Sequence, residues 1–70
     1  MMPLMFANPG DEVIIKKVGG SAETQKHLED LGFVVGGMLT VVNSGNGNLL
    51  VNVKGTRIAI TKEMAGKIMI

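Results

Sequence analysis

The stretch KHLEDLGFVVGG, residues 26 to 37, contains the end of a helix and the turn that follows it. Gly32 comes directly after the predicted helix, where a glycine can adopt the left-handed conformation that closes a helix without steric strain. Phe33 and Leu28 then take the two positions that commonly make a hydrophobic contact across such a helix end. The sequence therefore predicts that Phe33 packs on Leu28, with Leu31 completing the buried edge of the helix.

The segment before this stretch predicts one strand and the start of the helix. DEVIIKKV, residues 11 to 18, is rich in β-branched residues and reads as a single long first strand, which Gly19 and Gly20 end. Ser21 is a favourable N-cap, and Glu23 places a negative charge at the positive end of the helix dipole. We expect the helix to run from residue 22 to residue 31.

The segment after residue 37 predicts a three-strand meander, one helical turn and a last strand. Apolar and polar residues alternate along it with the period of a half-buried sheet, and the loop NSGNGN is rich in residues that tolerate positive φ. Gly55 completes a second tight turn, and Thr61 can cap the helical turn KEMAG. The predicted strands are MLTVVN (38–43), LLVNVK (49–54), TRIAIT (56–61) and KIMI (67–70).

These elements predict a mainly β fold. About five short strands sharing one core are best closed as a small barrel, because an open sheet would leave unpaired edges. An SH3-like barrel fits, with the helix inserted after the first strand and the short helical turn before the last. No linker or repeat divides the chain, so residues 1–70 are expected to form a single domain.

Composition excludes several classes of function. The chain has no cysteine, so a thiolate zinc site and a cysteine nucleophile are excluded, and a reducing cytoplasm is the expected location. A formal net charge of +1 and the absence of Trp and Tyr argue against nucleic-acid binding. No apolar stretch is long enough to span a bilayer, and the start lacks the features of a secretory signal.

The only histidine of the chain raises the question of a metal site. His27 lies four residues after Glu23 and three before Asp30, so all three project from one helix face. They could hold a weak surface ion, whereas an ordinary solvated helix face explains the same spacing. We expect no metal or other cofactor.

The methionines of the chain have a simpler interpretation than metal binding. Met1, Met2 and Met5 lie at a terminus expected to be loose. Met38 and two further methionines, Met64 and Met69, are expected to pack in the core rather than to bind cuprous ion.

No serine has a plausible base and orienting acid around it, so we expect a binding module and not an enzyme.

Three features of the chain, taken in order, resemble a known family. They are NPG before the first strand, HLEDLGFVVGG at the helix end and VKGTRIAITKEMAGKIMI at the close of the chain, and together they look like the FeoA domain, ferrous iron transport protein A. The similarity covers essentially the whole chain. Its most specific positions are Leu28, Leu31, Gly32, Phe33, Gly36, Gly55, Ile58, Ala59, Ile60, Glu63, Ala65 and Ile68.

This resemblance implies an SH3-like barrel that acts beside FeoB, a membrane ferrous-iron permease with a cytosolic G-protein domain. The implied role is accessory and non-catalytic: contacting the permease and supporting or regulating uptake. The alternative is a general small-barrel adaptor for another protein or for nucleic acid, such as the SH3-like module of metalloregulatory repressors.

The chain departs from the family pattern at two positions. His27 stands where the family often has arginine, and Val35 precedes Gly36 where the family often has proline. The few aromatic residues also argue against a groove for proline-rich peptides. We expect the partner to contact the helix face and its C-terminal turn, with the candidate residues Gln25, Lys26, Glu29 and Val34.

Overall fold

Six short strands form two sheets in the computed structural model, which describes residues 1–70. The mainly β prediction is confirmed. The four-stranded sheet has the order β1-β3-β4-β5, and β2 and β6 form a two-stranded sheet. The elements are a 3₁₀ turn at Leu4–Phe6, β1 (Glu12–Ile14), β2 (Lys17–Val18), α1 (Ala22–Asp30), β3 (Met38–Ser44), β4 (Asn48–Val53), β5 (Thr56–Thr61), α2 (Lys62–Ala65) and β6 (Ile68–Met69).

The meander of β3, β4 and β5 forms as the sequence predicts. Val51 of β4 lies opposite Val41 on one side and Ile58 on the other, so alternate apolar residues of three antiparallel strands share the inner face. A register shift between Val41 and Asn43 bends β3. The buried core has members from both sheets, both helices and the first residues of the chain: Leu4, Ala7, Ile15, Leu28, Phe33, Leu39, Val41, Leu49, Val51, Val53, Ile60, Ala65 and Ile68.

The predicted first strand is wrong in one respect, because residues 11–18 serve both sheets instead of one. The chain changes sheet at Ile15 and Lys16: the Ile15 N–H donates to the Gly37 carbonyl (2.8 Å), whereas the Lys16 N–H donates to the Met69 carbonyl (2.7 Å). Ile15 is buried at this corner. The two halves of this run pair with different sheets, so five predicted strands become six.

The N-terminal segment is held in place from Met2 onward, contrary to the expectation for Met2 and Met5, whereas Met1 is 79% exposed. The Met2 N–H donates to the Ile70 carbonyl (3.1 Å), and the Ile70 N–H donates to the Met2 carbonyl (2.9 Å). Leu4 is fully buried, and Met5 packs against the core. The segment is ordered because its backbone extends the pairing of β6 and its apolar side chains close one end of the core.

Met38 corrects a second expectation about the methionines. Its side chain is 52% exposed, although it was predicted to pack in the core. Met38 precedes the buried Leu39 in β3, and the alternation of a strand therefore turns it to the outer face, opposite Ile14 of β1. Met64 is partly buried against the core.

Helix α1 begins at the predicted cap, and the predicted glycine, Gly32, closes its C-terminal end. The Thr24 N–H donates to the Ser21 hydroxyl oxygen (3.2 Å), and the helix ends at Asp30, one residue earlier than predicted. Gly32 has a φ of +105°, which only glycine adopts without strain. Its N–H donates to the Glu29 carbonyl (2.9 Å), and the Phe33 N–H donates to the Leu28 carbonyl (2.9 Å). These paired bonds are the Schellman motif.

Helix α2 and the preceding turn also follow local signals. The Met64 N–H donates to the Thr61 hydroxyl oxygen (3.1 Å), which makes Thr61 the N-cap. Lys54 and Gly55 both have positive φ, at 52° and 80°, as the two central residues of a tight β-hairpin require. Together with α1, these elements close the ends of the core.

Candidate partner-binding surface

The solvent-facing side of α1 carries two of the four predicted partner contacts, Lys26 and Glu29. Lys26 and Glu29 are exposed and lie three residues apart, so they project from neighbouring positions of one face. Leu28, which lies between them in the chain, is fully buried and belongs to the face of α1 that packs on the core. A partner approaching this side of α1 would meet one positive and one negative charge.

Gln25 is placed differently from the other candidate residues. Its side-chain amide donates a hydrogen bond to the Gly20 carbonyl (3.1 Å), and the residue is partly buried. Gly20 lies in the turn that leads into α1 and has a φ of +93°. Gln25 therefore holds the start of the helix against this turn, and only part of its side chain is available to a partner.

Val34 lies in the turn that joins the helix end to β3. The Gly37 N–H donates to the Val34 carbonyl (2.9 Å), and Gly36, the third residue of this turn, has a φ of +86°. This is the geometry of a type II turn, which favours proline at the position of Val35. Val34 is partly buried, whereas Val35 is 67% exposed. The apolar surface offered here is thus mainly that of Val35, which the sequence analysis did not single out as a contact.

The carboxylates near His27 do not come together as a metal site. Glu23, His27 and Asp30 are exposed on α1, and the chain contains no group of three or more acidic or histidine side chains close enough to hold a metal ion. The face has the arrangement of solvated polar side chains.

The outer face of the four-stranded sheet forms a second surface that sequence reasoning missed. The pairing register aligns Glu12, Thr40, Asn52 and Arg57 in one row across all four strands. The Asn52 Oδ1 atom is buried there without a hydrogen-bond partner. Strand alternation places Asn52 on the outer face, but only the register between strands shows which residues become neighbours.

Two shallow cavities flank β1 on either side. The first has a volume of about 360 Å³ and lies over the row just described, between Glu12 and Lys54. The second has a volume of about 430 Å³ and lies along the free edge of β1, between Ile14 and the paired Met2 and Ile70. Both are open to solvent, and neither contains a set of side chains arranged for catalysis. Neither α1, with nine residues, nor α2, with four, could span a lipid bilayer.

Comparison with known proteins identifies relatives over the whole chain. The FeoA domain family model matches residues 2–70. A putative Fe(2+) transport protein A from Methanocaldococcus jannaschii is 39% identical over 70 residues, which span all of this chain and 85% of the relative.

Solved structures show the same architecture. The crystal structure of an iron uptake regulatory protein (FeoA) is 30% identical, with a TM-score of 0.91 over 97% of this chain and 92% of that one. Zinc-complexed FeoA from Stenotrophomonas maltophilia, described as a prokaryotic SH3 domain protein, is 25% identical, with a TM-score of 0.85 over 99% of this chain and 88% of that one. The predicted SH3-like fold is confirmed.

Proposed function

Because this chain belongs to the FeoA family, we propose that it is an accessory protein of ferrous iron uptake that binds the cytosolic part of a FeoB-type membrane permease. The observation that carries the proposal is the family match over residues 2–70, which includes the helix end and both sheets. The M. jannaschii relative, which is named a putative Fe(2+) transport protein A, supports a role in ferrous iron transport. In this proposal residues 1–70 act as one unit in the cytoplasm.

The role is one of binding and regulation, without catalysis. The cavities are shallow and open, and the single histidine of the chain, which has no cysteine, lines neither of them. Iron enters the function through the permease, which transports it. The exposed groups of this chain then act on the permease by contact.

We assign that contact to the outer side of α1 and the turn after it. Lys26 and Glu29 supply opposite charges at the helix surface, and Val34 with the neighbouring Val35 supplies apolar area beside them. An interface of this kind places its apolar residues centrally and its charges at the rim, where they steer association. Gln25 contributes chiefly by holding the start of α1 in place.

The test is a binding measurement with the isolated G-protein domain of the permease. We expect the double variant Lys26→Glu, Glu29→Lys to bind at least about fivefold more weakly than wild type, since rim charges govern electrostatic complementarity. The matched control is Lys62→Glu, Glu63→Lys, which reverses the same two charge types on α2 and should bind like wild type.

Three results would contradict the proposal or part of it. Equal binding by both double variants would move the contact surface away from α1. Absence of binding by the wild-type chain would remove the permease as partner. Binding to DNA or RNA that weakens steeply with salt would instead identify a nucleic-acid adaptor.

A further inference from the structure

Strand β1 has a free edge whose backbone groups have no partner strand. It is the outermost strand of the four-stranded sheet and pairs only with β3. The Asp11 carbonyl accepts from the Val41 N–H (2.9 Å), and the Ile15 N–H donates to the Gly37 carbonyl (2.8 Å), so residues 11 and 15 face β3. Because backbone groups alternate in direction along a strand, those of Glu12 and Ile14 point away from the sheet.

The space beside this edge is open and largely apolar. The cavity of about 430 Å³ runs along it and is lined by Met2, Val13, Ile14 and Ile70, with charged residues at its two ends. The two-stranded sheet covers the chain only from Lys16 onward, where the Lys16 N–H donates to the Met69 carbonyl. A three-residue length of β1 is therefore left as a template for another strand.

The order of charges along this edge favours antiparallel pairing with the same segment of a second copy of the chain. The sequence DEVIIKK, residues 11 to 17, begins with two acidic residues, continues with three apolar ones and ends with two lysines. When two such segments run antiparallel, the acidic end of each lies toward the basic end of the other. A parallel arrangement would instead place like charges side by side.

We propose that the chain forms a reversible homodimer in which β1 pairs antiparallel with β1 of a second copy, about a two-fold axis at Val13. Glu12 then lies opposite Ile14 of the second copy, and every free backbone N–H and C=O group of these two residues gains a partner. A symmetric dimer repeats the same contacts on both sides of the axis. The combined sheet is continuous across the two molecules.

The axis at Val13 is set by which backbone groups are free. An axis one residue later, at Ile14, would place Glu12 opposite Lys16 of the second copy, whose N–H is already bonded to the Met69 carbonyl. With the axis at Val13, the Lys16 side chain of the second copy lies diagonally from Glu12. Diagonal neighbours are within reach of long side chains. Asp11 contributes less, because its carboxylate accepts a hydrogen bond from the Asn8 N–H.

Two exposed apolar side chains also favour association at this edge. Ile14 is 50% exposed and Met38 is 52% exposed, and they lie directly opposite each other on the outer face. A strand added beside Ile14 would remove part of this area from water. The contact is nevertheless short, so we expect a weak dimer that exchanges with monomer.

The experiment measures self-association by analytical ultracentrifugation up to about 1 mM chain, where mass action favours a weak dimer. Wild type should show a monomer–dimer equilibrium. Glu12→Lys and Lys16→Glu should each weaken it at least about fivefold, and the double variant should return to within about twofold of wild type, because it restores opposite charges. Lys26→Glu, on α1, is the charge-matched control and should dimerise normally.

Ile14→Pro provides a second, independent variant. Proline lacks the N–H that points away from β3, and edge strands accept it on that side, so the fold should persist while dimerisation is lost. Circular dichroism would verify folding. The proposal is overturned by a wild-type chain that stays monomeric at the highest concentration, by a dimer that Ile14→Pro leaves intact, or by a charge-swapped double variant that fails to recover. A monomer whose Glu12 and Ile14 amide signals move only when the permease domain is added would likewise replace self-pairing with a partner strand.

Discussion

The helix end at Leu28–Phe33 and the corner at Ile15–Lys16 each contain a buried apolar side chain, yet they are built in different ways. At the helix end, both closing hydrogen bonds join residues that are neighbours in the chain, from Gly32 and Phe33 back to Glu29 and Leu28. At the corner, the bonds reach to Gly37 and Met69, far along the sequence. The first junction is specified locally by a glycine, and the second exists only when distant strands are in place.

The difference explains why one junction can be read from the sequence and the other cannot. A glycine followed by a large apolar residue after a helix has a single favourable solution. A run of β-branched residues is compatible with any strand partner, so it specifies extension without specifying a sheet. Substitutions at the two junctions should therefore have different consequences.

The largest expected effect is that of Phe33→Ala at the helix end. Phe33 is the largest fully buried side chain, and its loss should reduce the free energy of unfolding by about 3–5 kcal/mol. That is comparable with the whole stability of a domain of this size, so the variant should be unfolded near room temperature. Thermal melting by circular dichroism is the measurement. Phe6→Ala, at a position 63% exposed, is the control and should melt like wild type; a cooperative Phe33→Ala transition close to wild type would refute the packing argument.

A somewhat smaller and more local effect is expected for Ile15→Ala at the corner. Removing this buried side chain should cost about 2–4 kcal/mol. Because the two-stranded sheet is joined to the rest through the corner, hydrogen exchange should accelerate first at the Lys16 and Gly19 amides, which bond to Met69 and Lys67. Ile14→Ala, half exposed next to it, should cost about 1 kcal/mol or less. Uniform acceleration across β3, β4 and β5 would show that the corner does not open separately.

The smallest effect, and one of opposite sign, is expected for Val35→Pro in the turn beside both junctions. Proline suits the position before Gly36 in a type II turn and restricts the unfolded chain, which should stabilise the domain by about 0.4–1 kcal/mol. Denaturant unfolding would measure the gain. Val34→Pro is the matched control: it removes an N–H that donates to the Gly32 carbonyl (3.1 Å), and it should destabilise. A loss of stability in both variants would argue against the assigned turn type.

Local signals predicted most of the fold. The caps at Ser21 and Thr61, the closing Gly32 and the hairpin turn at Gly55 are all properties of short segments, and the elements around them were found within a residue or two. The 3₁₀ turn at Leu4–Phe6 was missed because nothing in MMPLMF shows that α2 will pack against it. Its order depends on a partner near the other end of the chain.

The surfaces were less predictable than the core. Helical periodicity shows that Lys26 and Glu29 face outward, and strand alternation shows the same for Asn52. A surface is defined by neighbours, however, and these come from register and helix placement. The alignment of Glu12 with Thr40 and Asn52, and the free edge of β1, required the pairing of β1 with β3. Strand pairing and register are set by tertiary packing, so they could not be predicted from this one sequence.

The pair of hydrogen bonds between Met2 and Ile70 holds the two ends of the domain next to each other. A short linker could join these positions, and new ends could be opened at the exposed hairpin tip between β3 and β4. In such a circular permutant, β6 and the N-terminal segment would be neighbours in sequence, while β3 and β4 would become the most distant. The folded structure would keep its contacts. The loop-closure entropy that now opposes pairing of the two chain ends would instead oppose pairing of β3 with β4.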